Sequence, residues 1–336
     1  MSSIRDVAKL AGVSVSTVSR VLAGSQSVEK ETRRRVEQAI ETIGYQPNLL
    51  AQGLRSKRGS LIGLVVPEIN HETFSRFIEY IGDEVRTRGY SLITGNTHGQ
   101  PDIEDEFIES LLRRHVDGII FSRVSDRSRA LRILEKGKVP AVIIDRFLDN
   151  EDIPTIIIDN YGAGVLAAEH LINLGHRSFA VITGPQNIAL CRERQKGFAD
   201  YIERQGCTFL QHNVYEGTFK FEAGIEAAEN FLKNGIDFTA IWAENDLMAL
   251  GAMNTFIRAN KKVPEEISIM GMDNIISSKI MIPSLTTISQ PFAAMCSKAV
   301  ELLFSMMNSE ECSERRIVLP ASLIVRESTA QCTKQI

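Results

Sequence analysis

From Ser60 onward, short apolar runs alternate with longer stretches that are apolar on one face only, and this alternation restricts the fold more than any other feature of the chain. Leu61–Val66, Ser91–Thr94, Gly118–Phe121, Ala141–Ile144, Thr155–Ile158, Phe179–Thr183, Ala240–Ala243 and Ile267–Gly271 read as strands. Phe74–Thr87, Ile103–Leu112, Gly162–Leu174, Glu193–Gln205 and Met248–Ala259 read as helices between them. A strand without polar alternation is buried on both faces, which parallel strands joined by crossover helices achieve. The region therefore predicts an α/β core of parallel sheets, each covered by helices on both sides. Its length leaves room for two such lobes with a cleft between them. Ligands of such folds sit beyond the C-terminal ends of the strands, where the loops converge.

The first 58 residues do not share this pattern, and their charge differs as well. They hold ten Lys and Arg against five acids, a net +5, whereas the remaining residues of this chain of net charge −4 carry −9. A basic module on an acidic body suits a chain in which one end meets phosphates and the rest stays away from them. No apolar run approaches the ~18 residues that cross a bilayer. Arg5, Asp6 and Lys9 occupy the place where an export signal has its apolar stretch, so a cytoplasmic protein is expected. Cys191, Cys207, Cys296, Cys312 and Cys332 are odd in number and far apart, which fits reduced thiols better than a disulfide frame or a zinc site.

Within the basic segment, Ser3 can cap a helix beginning at Ile4, with Val7, Leu10 and Ala11 on one face. Gly12-Val13-Ser14 interrupts it, and Ser14 can cap a second helix from about Val15 to Leu22. Two short helices around a glycine-containing turn form a helix-turn-helix, whose second helix enters the major groove of DNA. Val15, Ser16 and Thr17 then occupy its first turn, with Arg20 one turn on. A third helix, Lys30 to Ile43, turns Val36, Ala39, Ile40 and Ile43 inward and Arg33, Arg34 and Arg35 outward. Pro47 ends that region, and Leu49 to Ser56 is too short, with Gly53 inside it, to hold a helix alone in water. On its residues alone, this segment reads as a flexible linker.

The run Ile4-Arg5-Asp6-Val7-Ala8-Lys9-Leu10-Ala11-Gly12-Val13-Ser14, followed by Thr17-Val18-Ser19-Arg20-Val21-Leu22, Gly44-Tyr45-Gln46-Pro47-Asn48 and Leu54-Arg55, resembles the headpiece of the lactose-repressor (LacI/GalR) family. One departure is Glu29, where the family has a serine capping the third helix; a carboxylate still suits a helix N-terminus. The resemblance implies a helix-turn-helix headpiece over residues 1–46, a hinge helix over 47–58 that folds on DNA, and an effector-binding and dimerisation core over 59–336. It implies DNA contacts from Ser3, Ser14, Val15, Ser16, Thr17, Ser19 and Arg20. At the hinge it implies contacts from Asn48, Ala51, Leu54 and Arg55, with Leu54 as a minor-groove wedge.

The resemblance continues through the core in Asp117-Gly118-Ile119-Ile120, Asp145-Arg146, Thr183-Gly184-Pro185, Glu244-Asn245-Asp246, Gly271-Met272-Asp273 and Gln290-Pro291. The family core is similar to periplasmic sugar-binding proteins. Asp145, Asn245 and Asp273 each follow a strand-like run, so short polar side chains converge on the cleft, where carboxylates accept hydroxyl protons and Arg146 and Arg194 donate. Phe74 and Phe219 can stack on a ring face. The family's ligand positions fall on Phe74, Asp145, Arg146, Arg194, Phe219, Asn245, Asp273 and Gln290. Asp246 reads as the cap of a helix starting at Leu247. Ile188 and Leu190 are apolar where relatives place polar contacts; Ile188 lies where the purine-responsive branch carries an arginine, which argues against a nucleobase. A sugar or sugar acid is therefore expected, with a protein co-repressor or a non-sugar metabolite as the alternative.

The implied function is a repressor that binds pseudo-palindromic double-stranded operator DNA as a homodimer, without a cofactor, a metal or a membrane. The tail after Glu327 has no heptad repeat, so a dimer is expected and not a tetramer. No phosphate-binding glycine loop, H-E-x-x-H or G-x-S-x-G motif is present, and the six histidines are scattered, His170 and His176 at a helix end and turn. An enzyme is not expected.

Overall fold

The computed structural model describes residues 3–22, 25, 27–45, 59–122, 129–146, 153–207, 211–310 and 315–333. The chain separates into two compact units, Met1–Ser60 and Leu61–Ile336. The hinge positions Asn48, Ala51, Leu54 and Arg55 lie outside the described residues.

Among the described residues, the first unit has three helices: α1 (Ile4–Ala11), α2 (Val15–Leu22) and α3 (Lys30–Ile43). Ser3 closes a capping box on α1: its hydroxyl accepts from the Asp6 amide while the Asp6 carboxylate accepts from the Ser3 amide at 2.8 Å. Gly12 ends α1 in the left-handed region, at φ 64, which a side chain would resist. The Ser14 hydroxyl accepts from the Thr17 amide at 3.1 Å and so caps α2. Glu29 precedes α3 without a side-chain cap bond. Val7, Ala11, Val18, Val21, Val36 and Ala39 close the small core between the three helices.

The second unit contains two six-stranded sheets. The first lobe is built from β1 (Leu61–Val66), α4 (Glu72–Thr87), β2 (Ser91–Asn96), α5 (Pro101–Arg113), β3 (Gly118–Phe121), α6 (Ala130–Gly137), β4 (Ala141–Ile144) and β5 (Thr155–Ile158). The second comprises α7 (Asn160–Asn173), β6 (Phe179–Thr183), α8 (Ala189–Arg204), β7 (Val214–Glu216), α9 (Phe221–Asn234), β8 (Ala240–Ala243), α10 (Asp246–Arg258), β9 (Ser268–Met272), α11 (Ile276–Ile280) and β10 (Thr286–Ser289). The chain then returns to the first lobe with α12 (Phe292–Met307) and β11 (Arg316–Leu319), and crosses back for β12 (Ser322–Ile324). The sheet orders are β11-β5-β4-β3-β1-β2 and β12-β10-β9-β8-β6-β7. Among the described residues every pairing is parallel except β10 with β12.

Three connections therefore join the lobes: at Asp159, at Gln290-Pro291 and at Pro320-Ala321. The inner strands are continuous apolar runs because both faces are covered: Ile62, Leu64, Ile120, Val142, Val181 and Trp242 are fully buried. Truncating one such leucine or isoleucine to alanine removes about 2–5 kcal/mol of stability. In the second lobe α7 and α8 meet at Gly164 and Gly197, where a Cβ would strike the backbone of Arg194 and Tyr161 respectively. This close approach fixes the turn of α8 that carries Arg194.

Candidate functional site

A cavity of about 620 Å³ opens between the lobes. Its walls come from the C-terminal ends of strands in both sheets: Pro67 after β1, Asp145 after β4, Pro185 after β6, Phe219 after β7, Asp273 after β9 and Gln290 after β10. Seven of the eight effector positions expected from the sequence line it: Phe74, Asp145, Arg146, Arg194, Phe219, Asp273 and Gln290.

The local backbone explains how the acids reach the cavity. Asp145 still donates its amide to Ile156 O, and Asp273 to Ile288 O, as strand residues do. Each then leaves the strand in the left-handed region, at φ 73 and φ 112. Phe219, in the loop between β7 and α9, is also left-handed, at φ 65. Such conformations cost of order 1–3 kcal/mol per non-glycine residue and persist where the surroundings impose them.

Burial dominates the electrostatics. It raises the pKa of Asp145 against the pull of Arg146 and Arg194. It lifts Asp273 to about 6, although Arg194 and the Gln290 amide, 2.6 Å from its carboxyl, favour the charged form. The Arg194 guanidinium is 3% exposed and is held by neutral acceptors, Asn160 Oδ1 at 2.9 Å and Glu244 O at 3.0 Å. Burial also lowers the basicity of His71, which is therefore neutral at pH 7.

Asn245 is the eighth expected position, and it is not brought to the cavity wall. Its Oδ1 accepts from the Met248 amide at 2.9 Å, and its Nδ2 donates to Phe219 O at 2.7 Å and to His71 Nε2 at 3.3 Å. Asn245, and not Asp246, is thus the cap of α10, which starts one residue earlier than the sequence suggested. Asp246 is the first helical residue and is fully buried, accepting from the Thr287 hydroxyl at 2.6 Å and the Ile275 amide at 2.9 Å.

Glu244 entered the sequence reading only as part of the run Glu244-Asn245-Asp246, without a role of its own. Its carboxyl is fully buried, accepts from the Gly184 amide at 2.8 Å and has its pKa raised to about 8 by burial. Glu244, Asn245 and Asp246 together pin the loops after β6, β7 and β9 to the end of β8. Three consecutive polar residues directly after the apolar run Ala240–Ala243 were the available signal. His71, one of the scattered histidines, and Thr73, which stands where relatives often have an aromatic, also lie on the wall, though the sequence assigned neither a ligand contact.

Residues 3–48 match the family model of bacterial regulatory proteins, lacI family, and residues 168–329 match that of a periplasmic binding protein-like domain. The chain is 32% identical over 329 residues to the ribose operon repressor of Halalkalibacterium halodurans, covering 98% of this chain and 97% of that one. The chain belongs to the LacI family. As a LacI-family member it is a DNA-binding transcription repressor governed by a small-molecule effector, and not an enzyme. Among solved LacI-family structures, the lac repressor dimer bound to operator and the anti-inducer ONPF superposes with a TM-score of 0.89 at 30% identity, covering 98% and 99% of the two chains. The transcriptional regulator CelR–cellobiose complex superposes with a TM-score of 0.76 at 29% identity, covering 98% and 100%.

In the headpiece, the residues expected to meet DNA lie at the solvent edge. Ser3, Ser14, Ser16 and Arg20 are exposed and Val15, Thr17 and Ser19 half-buried. The Ser14 hydroxyl lies 2.7 Å from that of Ser16 and 2.9 Å from that of Thr17, a cluster of donors and acceptors at the start of α2. Among the described residues no helix is long and apolar enough to cross a membrane.

Proposed function

We propose that the cleft binds a sugar or sugar derivative, and that its occupancy sets how tightly a dimer of this chain holds a pseudo-palindromic operator. The observation that carries the ligand class is the pair of buried carboxyls, Asp145 and Asp273, flanking the Arg194 guanidinium on a wall that also presents Phe74 and Phe219. Carboxylates accept hydroxyl protons, a guanidinium donates in a fixed fork, and aromatic faces cover the apolar side of a sugar ring. Ile188 and Leu190 add an apolar patch to the rim, room for a ring face or an unhydroxylated substituent. The names of the ribose operon repressor and the cellobiose complex fit the same class.

On the DNA side, the first turn of α2 would enter the major groove with Val15, Ser16, Thr17 and Arg20, assisted by Ser3, Ser14 and Ser19. Asn48, Ala51, Leu54 and Arg55 would meet the minor groove. The effector need only prefer one lobe arrangement; equal affinity for both would shift nothing.

The test is a selection of bound genomic fragments with the full chain, followed by release assays with sugars suggested by the neighbouring genes. Enriched pseudo-palindromes released by a sugar support the reading. Asp273→Asn should retain operator binding and weaken the sugar response on the order of tenfold or more, the scale of a charge-assisted hydrogen bond. A response equal to that of the natural chain would remove Asp273 from the site.

A further inference from the structure

We propose that Glu72 and Arg76 are positioning residues that clasp the two lobes together and hold Asp273 in place before any effector arrives. The significance for regulation rests on the cleft being the effector site; the clasp itself is a property of the ligand-free protein.

Glu72 and Arg76 stand one turn apart on α4, in the first lobe, and pair at 2.6 Å. Both reach into the second lobe. The Arg76 Nη1 donates to Asp273 O at 3.4 Å and its Nη2 to Asn274 O at 2.9 Å. Both oxygens of Glu72 accept from the Ile276 amide at 2.9 Å, at the uncapped start of α11. The guanidinium also lies 5.0 Å over the ring of Phe292, just past the Gln290-Pro291 crossover. Thr73 and Phe74, between the two clasp residues in sequence, line the cavity.

The backbone that is gripped is the reason the grip matters. Asp273 and Asn274 are consecutive left-handed residues, at φ 112 and φ 55. Two such residues in a row are unfavourable unless their carbonyls and amides are held from outside. Within the second lobe, the Asn274 amide donates to the Thr287 hydroxyl at 3.3 Å and its side chain takes Arg326. The two carbonyls, however, are taken by a residue of the opposite lobe. A planar fork suits two successive carbonyls as a point charge does not. Separating the lobes would release both carbonyls together with the Ile276 amide, leaving the Asp273 carboxyl held through Gln290 but its backbone no longer gripped from the first lobe. The site is thus assembled without any ligand contact, which removes the affinity penalty of a binding-competent state that is seldom populated.

Hydrogen exchange read by mass spectrometry on the ligand-free full-length protein tests this, comparing the natural chain with Arg76→Ala, Arg76→Lys and Glu72→Ala. Arg76→Ala and Glu72→Ala should speed exchange across residues 273–276 on the order of 10- to 100-fold, as expected for losing charge-assisted bonds that protect a local opening. Amides of β1, β8 and β9 should be unchanged. Arg76→Lys keeps the charge without the fork and should resemble Arg76→Ala. Unchanged exchange at 273–276, acceleration spread evenly over both sheets, or full protection in Arg76→Lys would each overturn the clasp. Adding ribose or cellobiose to the natural chain probes the sugar reading separately: failure of both to protect the Asp145 and Asp273 segments counts against that reading and leaves the ligand-free result standing.

Discussion

Asp145 and Asp273 share a backbone signature that no composition count reveals: each sits in the left-handed region at the end of a strand and faces one cavity, which the left-handed Phe219 of the loop beyond β7 also lines. Strain of this kind concentrates where a side chain must be aimed. Glu244, behind that wall, yields a prediction at the same scale. Its folded pKa of about 8 lies above its ordinary value of 4.5. The folded state therefore binds its proton more tightly than the unfolded state, so stability falls as pH rises from about 4.5 to about 8 and levels off above. Across that window the loss is roughly 5 kcal/mol. Glu244→Gln should flatten that part of the stability–pH curve in urea unfolding series, while its amide oxygen can still accept from Gly184; an unchanged slope would mean that Glu244 ionises freely. His176, by contrast, is a structural residue: one ring nitrogen bonds Thr239 at 2.8 Å and the other Ser268 at 3.0 Å, and burial holds its pKa near 4. The site acids were legible because a short polar residue after an apolar run is visible in sequence. That Asn245 and not Asp246 caps α10 was not, since one residue of register decides which carbonyl or amide each side chain meets.

At the level of elements, the headpiece depends on its caps, because helices of eight residues are too short to persist alone in water. Ser3→Ala removes half of the capping box and should lower headpiece stability by about 1 kcal/mol, read as a lower midpoint in thermal unfolding followed by circular dichroism of a 1–60 fragment. No change would mean that Asp6 alone satisfies that end. The strands and helices of both lobes were readable where parallel strands are buried on two faces and become unbroken apolar runs. β11 and β12 were not: they are four- and three-residue edge strands of mixed burial, and Val318 is 49% exposed. α12 buries Phe292, Met295, Cys296, Ala299, Val300 and Leu303 at helical spacing, but Ala293, Ala294, Leu302, Phe304, Met306 and Met307 make its other positions apolar as well, which blurs the pattern in the sequence. Its return to the first lobe depends on contacts with residues more than a hundred positions earlier, which local patterns cannot encode.

For the molecule as a whole, the second lobe exposes Ile276, Ile280 and Ile282, the last at 88%. Neighbouring exposed isoleucines are unusual on a monomer and suit burial against a second copy. Ile280→Asp should weaken dimerisation on the order of tenfold or more in sedimentation at micromolar concentration, the size of an interface hot spot; an unaltered dimer would place the contact elsewhere. The three crossings between lobes also have a meaning for how the protein is made. Neither lobe is a continuous piece of chain: the first lacks α12 and β11 until residue 319 has been added, and the second lacks β12 until residue 324. During synthesis, at ~5–20 residues per second, the headpiece can fold early, but the two lobes stay unfinished until residues 319 and 324 respectively have been added. A chain cut short before residue 319 would thus carry the headpiece while lacking a strand of each half of its sensor.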